Sequence, residues 1–310
     1  LVSASELSTR DAWLAQRRGG IGGSDAAVIC GVSKWRTPYE LWAEKSGLSD
    51  GGVEDNIDML IGRALEPEIR QRYADQTGRV VAVPDGIQRH PAHHWMIGSL
   101  DGVTDDGRVL EIKTARSGPE WGAPGSADIP PTYLLQVQHY LAVAGLPVAD
   151  VAVMFKDRRV PAVDVYEIPA DLELQAMLIE AEAEFWRAVV DGTPPAPVSY
   201  ADMLARYGRE SAEGSVVATE DVERAVATLR DIAKQRKALD ASEKEARTLV
   251  MAALGERDWL LSGLTGKTLV TWRAQAGAKR FDAAAFQKSH PELYAQFLRQ
   301  GEPSRRFMLK

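Results

Sequence analysis

The stretch GSLDGVTDDGRVLEIKT, Gly98 to Thr114, sets Asp101 ten residues before Glu111 and adds Lys113 two residues later. Asp105-Asp106-Gly107 between them is turn chemistry. With a strand on each side and residues 105–107 as the loop, Asp101 lies opposite Glu111, their Cβ atoms roughly 4.5–5.5 Å apart. Val109, Glu111 and Lys113 then share one strand face, and Leu110 and Ile112 the other. Facing carboxylates repel each other unless a cation compensates. Such oxygen ligands suit Mg²⁺, with Mn²⁺ as its substitute, and the backbone carbonyl of Ile112 is a further candidate ligand. Lys113 beside that ion would polarise a water or stabilise developing charge, which is the chemistry of phosphodiester hydrolysis.

Other residues fit the same chemistry. On the segment GRALEPEIRQRY, the spacing leaves both Glu66 and Glu68 open as a third acid; the stripe formed by positions 62, 65, 66, 69 and 73 favours Glu66. Gly62, one turn earlier, is expected to allow close backbone approach. RRGGIGGSD offers Arg17, glycine-rich backbone and Ser24 as an anion cradle, or else simply a helix capped by Ser24. It lacks the GK[ST] ending of a nucleotide-binding P-loop. In LLQVQHY, Gln136 and Tyr140 stand four apart beside the apolar stripe Leu134, Val137, Leu141 and Ala144. That Gln is placed to hold a phosphate, a water or the lysine. The cluster HPAHH matches no common zinc spacing and reads as a turn. Trp13, Trp35, Trp42 and Trp186 are assigned no site.

Composition narrows the class. With 45% hydrophobic and 26% charged residues the chain is globular rather than disordered. Its single cysteine, Cys30, excludes an internal disulfide and any four-cysteine metal site. The net charge of −7 argues against indiscriminate coating of nucleic acid, although local cations such as Arg17-Arg18 and Lys156/Arg158/Arg159 remain. Neither a membrane span nor a secretory leader is visible, so the cytoplasm is the expected location.

The elements that must hold these residues follow from pattern. Helices are expected at 8–18, in the small-residue run that follows the glycine-rich turn of GGIGGSDAAVICG, and at 38–46, 57–77, 133–144 and 171–190. Strands are expected at 79–84, in a hairpin over 95–114, and at 150–155 and 160–169. This is an α/β core with a central mixed sheet flanked by helices, over residues 1–200. Residues 201–217 read as a linker. Residues 218–310 read as an accessory region: a long helix at 219–254 capped by Thr219, a β-hairpin at 258–273, and one helix at 282–298.

Taken together, RRGGIGGSDAAVICG, TPYELWAEKSG, GRALEPEI, GSLDG, LEIKT and LLQVQHY resemble the phage-type recombination exonucleases. These are the lambda exonuclease and YqaJ-like viral recombinase group of the PD-(D/E)xK nuclease superfamily. The resemblance implies that Asp101, Glu111 and Lys113 are the metal-binding acids and the catalytic lysine, assisted by Glu66 and Gln136. It implies that Arg17, Ser24 and Ser99 hold a 5′-terminal phosphate. It also implies 5′→3′ digestion of one strand of linear double-stranded DNA, leaving a 3′ single strand, by a ring-shaped homo-oligomer (a trimer favoured) that works with a phage single-strand annealing protein. A structure- or site-specific endonuclease, or a catalytically silent DNA-end-binding module, are the alternatives. In one departure, the family's further acid before the hairpin falls near His90 or Pro91, with no Asp or Glu in register.

Overall fold

A run of buried residues on both faces of two neighbouring strands builds the sheet that carries Glu111. The computed structural model describes residues 17–49, 56–209, 214–301 and 303–310. The expected helix at 8–18 therefore lies, up to residue 16, outside the described residues, as does Trp13. The first elements are β1 (Ile21–Gly22), α1 (Gly23–Ile29), α2 (Pro38–Lys45) and α3 (Ile57–Thr77). Thr37 caps α2 by accepting the Glu40 N–H, with Pro38 opening the helix. Asn56 caps α3. Next come β2 (Val81–Ala82), β3 (Gln88–Arg89), β4 (Met96–Gly98), β5 (Gly102–Thr104), β6 (Val109–Ala115), α4 (Pro131–Ala144), β7 (Val148–Phe155), β8 (Val163–Pro169), α5 (Leu172–Val190) and α6 (Tyr200–Tyr207).

The main sheet runs β2-β5-β6-β7-β8. It is mixed, because β6 and β7 pair in parallel while the other neighbours are antiparallel. A parallel pair needs a crossover, and α4 supplies it. Side chains alternate across the sheet. Val109, Val151, Val153 and Phe155 pack on Val137, Tyr140 and Leu141 of α4. Leu110, Ile112, Ala152 and Met154 pack on Ile69 and Tyr73 of α3. On its outer side α4 meets α1 and α5, where Ala26, Ala27, Leu135 and Leu178 close a further core. This sandwiched position explains why α4 departs from a one-stripe pattern: Leu135, Gln136, Gln138 and His139 are buried as well.

The expected hairpin at 95–114 is divided between two sheets. β4 belongs to a small sheet, β1-β4-β3, and only β5 and β6 form the hairpin. The break falls at Ser99-Leu100-Asp101, and Ser99 lies across one cavity from the N-terminus of α1. The strand expected at 79–84 shrinks to Val81–Ala82.

The chain separates into two compact units, Leu1–Arg206 and Tyr207–Lys310. The stretch read as a linker from residue 201 begins as helix α6. Asp202 accepts the Val198 and Ser199 N–H groups and the Thr37 hydroxyl, which organises the turn into that helix. The second unit holds α7 (Glu220–Leu254), the hairpin β9 (Trp259–Leu261) with β10 (Thr268–Thr271), α8 (Ala283–Ser289) and α9 (Pro291–Phe297). Thr219 occupies the cap position of α7 but its side chain makes no capping bond. The single helix expected at 282–298 is two helices, because Pro291 has no N–H to donate and its ring excludes the preceding turn. Among the described residues no helix is long and apolar enough to cross a membrane.

Candidate active site

β5 and β6 pair Gly102 with Leu110 and Val103 with Val109. Continued by one residue, that register sets Asp101 against Glu111, as the spacing predicts. Asp101 lies just beyond the strand, and its carboxylate takes over the ladder by accepting the Ile112 N–H at 2.7 Å. Glu111 is almost fully buried. Its Oε1 meets Lys113 Nζ at 2.5 Å and accepts the Gln136 amide at 2.8 Å. Lys113 also donates to Gln136 Oε1 at 3.1 Å and lies over the Tyr133 ring. Gln136 thus bridges acid and lysine from α4 and reaches on to the Tyr140 hydroxyl at 3.3 Å.

The electrostatics are those of crowded acids. Burial, then the Glu111 charge, pushes the Asp101 carboxyl up to about 8. Burial also raises Glu111, against the pull of Lys113. For Lys113, burial favours loss of the proton, but the Glu111 and Asp101 charges outweigh it and hold the ammonium form.

Glu66 is offered to this cluster from α3, the helix on the other face of the sheet. It pairs with Arg70, whose Nε donates to the Asp101 carbonyl at 3.1 Å. Glu68 instead pairs with Arg72 on an exposed face. Glu66 is therefore the one that turns toward Asp101. Gly62 is not needed for close approach: a Cβ there would meet only Thr114 Oγ1 at an ordinary 3.5 Å.

A fit for a hard divalent ion rests on one atom. Glu111 Oε2 is buried and has no hydrogen-bond partner, and an orphaned buried carboxylate oxygen is costly. A cation shared with Asp101 would satisfy it. Among the described residues no three His, Cys, Asp or Glu side chains gather into a ready-made cage. The pair of carboxylates is a set that Mg²⁺ commonly takes, its remaining positions filled by water and substrate phosphate. The Ile112 carbonyl follows Glu111 directly on β6, and the Glu66 charge reaches both acids, raising Asp101 and Glu111.

Arg17, Ser24 and Ser99 do come together. They line one cavity of about 80 Å³ with Gly22, Gly23 and Tyr140, room for a few waters or one small anion. Arg17 Nη2 donates to Ser24 Oγ at 2.6 Å. Ser24 is not the helix cap. Gly22 holds that position, and Asp25 accepts the Gly22 N–H at 3.0 Å. This frees the Ser24 hydroxyl for the cavity. Behind it, buried Asp25 pairs with Lys45 at 2.7 Å and Arg17 at 3.6 Å. Lys45 in turn donates to the carbonyls of Arg17 and Gly20. Tyr140 joins the two halves, since it lines the cavity and accepts from Gln136.

Tyr140, Lys45, Asp25 and Arg70 are the residues that sequence reasoning left without a role. Only Tyr140 carried a signal, its four-residue spacing from Gln136. The histidine turn is local: His90 Nδ1 accepts the Ala92 and His93 N–H groups. Trp42 is core and Trp186 packs against it, whereas Trp35 is exposed.

Residues 12–147 match the YqaJ-like viral recombinase domain. Over 321 residues the chain is 29% identical to the Bacillus subtilis (strain 168) protein named uncharacterized protein YqaJ, spanning 100% of this chain and 97% of that one. Among solved structures it is similar to an alkaline exonuclease, LHK-Exo, from Laribacter hongkongensis: 26% identity, TM-score 0.49, covering 59% of this chain and 94% of the other. A phage-related exonuclease from Haemophilus somnus 129PT is similar at 13% identity and a TM-score of 0.43, covering 56% and 96%.

Proposed function

From the site's geometry and the match of residues 12–147 to the YqaJ-like viral recombinase domain, we propose that this protein is a Mg²⁺-dependent exonuclease that digests linear double-stranded DNA 5′→3′ and leaves a 3′ single strand. The observation that supports this most is the buried, unpartnered Oε2 of Glu111, an acid whose charge raises Asp101 and whose other oxygen meets Lys113. When bound there, Mg²⁺ (or Mn²⁺) neutralises charge on the scissile phosphate and acidifies water. Asp101, Glu111 and the Ile112 carbonyl would hold it, with Glu66 in support. Lys113 stands where an ammonium group can orient the attacking water and offset charge growing on the phosphate. Gln136 fixes the lysine against Glu111, so the ammonium does not wander. Arg17, Ser24 and Ser99 would take the 5′-terminal phosphate, and the shared Tyr140 ties that pocket to the hydrolytic centre. This arrangement would measure cleavage from an end.

DNA ends as substrate, a ring-shaped homo-oligomer (a trimer favoured) and a phage single-strand annealing protein as partner belong to the same proposal. Light scattering checks the first assembly.

The deciding assay uses Mg²⁺ with end-labelled linear duplexes bearing 5′-phosphate or 5′-hydroxyl, and a closed circle. The expected result is degradation of the phosphorylated linear duplex, arrest by chelator, survival of the circle, and a residual 3′ strand. Arg17→Ala should erode the preference for phosphate more than it weakens overall binding. Cutting of the circle, or an attack that begins at 3′ ends, overturns the exonuclease reading.

A further inference from the structure

His139, one residue before Tyr140 and three after Gln136, is fully buried and takes no part in the chemistry above. Its Nδ1 lies 2.8 Å from Glu182 Oε1 on α5, and its Nε2 lies 2.8 Å from the Ile97 carbonyl on β4. The Ile97 carbonyl accepts, and so does the Glu182 group as an ionised carboxylate. A neutral imidazole has one N–H and can satisfy only one of them. Glu182 is itself fully buried and its Oε2 has no partner. A buried carboxylate in that condition is tolerated when a full positive charge faces it.

What the pair holds is specific. Ile97 lines the Arg17–Ser24–Ser99 cavity, as does Tyr140. Ile97 also registers with Gly22 of β1, the strand that leads into Gly23 and Ser24. The ring of His139 therefore ties the strand carrying one cavity wall to the helix carrying the other.

We propose that His139 is held as an imidazolium by Glu182 and acts as a positioning residue that sets the spacing between β4 and α4, and so the fit of the 5′-phosphate pocket. This rests on the functional reading above and deepens it. The charged surroundings favour the assignment. Burial by itself pushes the imidazole toward neutrality, but the Glu182 charge, the hydrogen bonds to Glu182 and Ile97, and Asp25 on α1 raise its proton affinity above the usual value. The other titratable groups facing the pair are Tyr140 on α4, Cys30 at the end of α1 and His90 before β4.

The test uses the full chain with Glu182→Gln, which keeps shape and removes charge. Imidazole ¹⁵N shifts should show both His139 nitrogens protonated in the wild type at neutral pH and a single protonated nitrogen in the variant. The ratio of kcat/KM for 5′-phosphate over 5′-hydroxyl duplex should fall about tenfold, the scale of one charge-assisted hydrogen bond, chiefly through KM. The wild-type ratio should hold at neutral pH and decline on the alkaline side; in Glu182→Gln that decline should move at least one pH unit lower. A wild-type His139 protonated only on Nε2 overturns the imidazolium. A folded Glu182→Gln with an unchanged ratio and profile overturns the positioning role. If that variant does not fold, the apolar pair His139→Leu/Glu182→Met should, and retention of the wild-type ratio there overturns the proposal equally. A wild type indifferent to the 5′ group sinks both the pocket and the positioning role, while the ¹⁵N result still decides the charge.

Discussion

The Asp101 carboxylate accepts the Ile112 N–H at 2.7 Å, so one acid of the pair is fixed by the backbone on which the other acid sits. Glu111 and Ile112 are adjacent, and movement of β6 carries both acids together. Asp101→Asn keeps an acceptor for that N–H and removes one of two crowded charges. Cleavage should fall by at least about a thousandfold, with DNA binding within a few-fold of wild type. In chelator the melting temperature should rise by about 2–4 °C, the equivalent of ~1 kcal/mol in a unit of this size. A lower melting temperature would mean that Asp101 is there for the fold.

Lys113→Met probes the other half of the cluster. Glu111 Oε1 would keep the Gln136 amide but lose the ammonium at 2.5 Å, leaving a buried carboxylate short of positive charge. The expected result is a kcat loss of about a hundredfold or more with a small change in KM. The variant should be less stable than wild type in chelator and gain more from added Mg²⁺, because a bound ion replaces the missing charge. Differential scanning fluorimetry with and without Mg²⁺ reads this directly. Equal stabilisation of both proteins would remove Glu111 from the ion's ligands.

Much of this was legible because it depends on local spacing. The turn at Asp105–Gly107 fixes the register, and register alone brings Asp101 to Glu111. The bounds of α3 follow from the apolar period, and Asn56 proves to be its cap. What stayed hidden depends on layers that meet from afar. Lys45 reaches back to the carbonyls of Arg17 and Gly20 from a helix of its own, and His139 finds Glu182 across 43 residues. Such polar residues on an amphipathic pattern look solvated until a second layer covers them. Where expectation failed, a competing local rule decided. Pro291 broke a helix that periodicity continued. Asp25 and Gly22 took the cap assigned to Ser24, because an acid in the first turn can reach back to the preceding N–H.

Gly62 is the glycine that the sequence marks for close approach, yet Gly23 is the one the structure crowds, and the two should behave oppositely. A Cβ on Gly23 would lie 2.5 Å from Tyr140 Cε1, inside any tolerated contact. Gly23→Ala should therefore displace Tyr140, destabilise by about 1–3 kcal/mol as overpacking does, and weaken the preference for 5′-phosphate. On Gly62 the added methyl meets Thr114 Oγ1 at 3.5 Å. Gly62→Ala should stabilise α3 by up to ~1 kcal/mol, from helix propensity. Urea midpoints of the two variants settle the comparison; a destabilised Gly62→Ala would place the backbone of α3 nearer to β6 than these contacts indicate.

Asp25 and Lys45 give the fold a defined acid sensitivity. Burial pushes the Asp25 carboxyl up, but Lys45 at 2.7 Å, Arg17 at 3.6 Å and the Gly22 N–H pull harder, and it settles below its usual 3.8. An acid depressed in the folded state stabilises fully above its unfolded value, and that contribution is lost as pH falls through the folded value. Lys45→Met removes the strongest of these partners from a side chain with no solvent exposure. At neutral pH the loss should be about 3–5 kcal/mol, as for other broken buried pairs. As pH falls below the usual 3.8 and through the depressed folded value, Asp25 becomes neutral in both proteins, so the gap in urea midpoint should shrink relative to its value at neutral pH. A gap that stays constant across the range would assign the loss to the packing of the lysine stem and to its bonds with the Arg17 and Gly20 carbonyls. The charge on Asp25 would then be a bystander, and the placement of Arg17 at the cavity would depend on the neighbouring backbone.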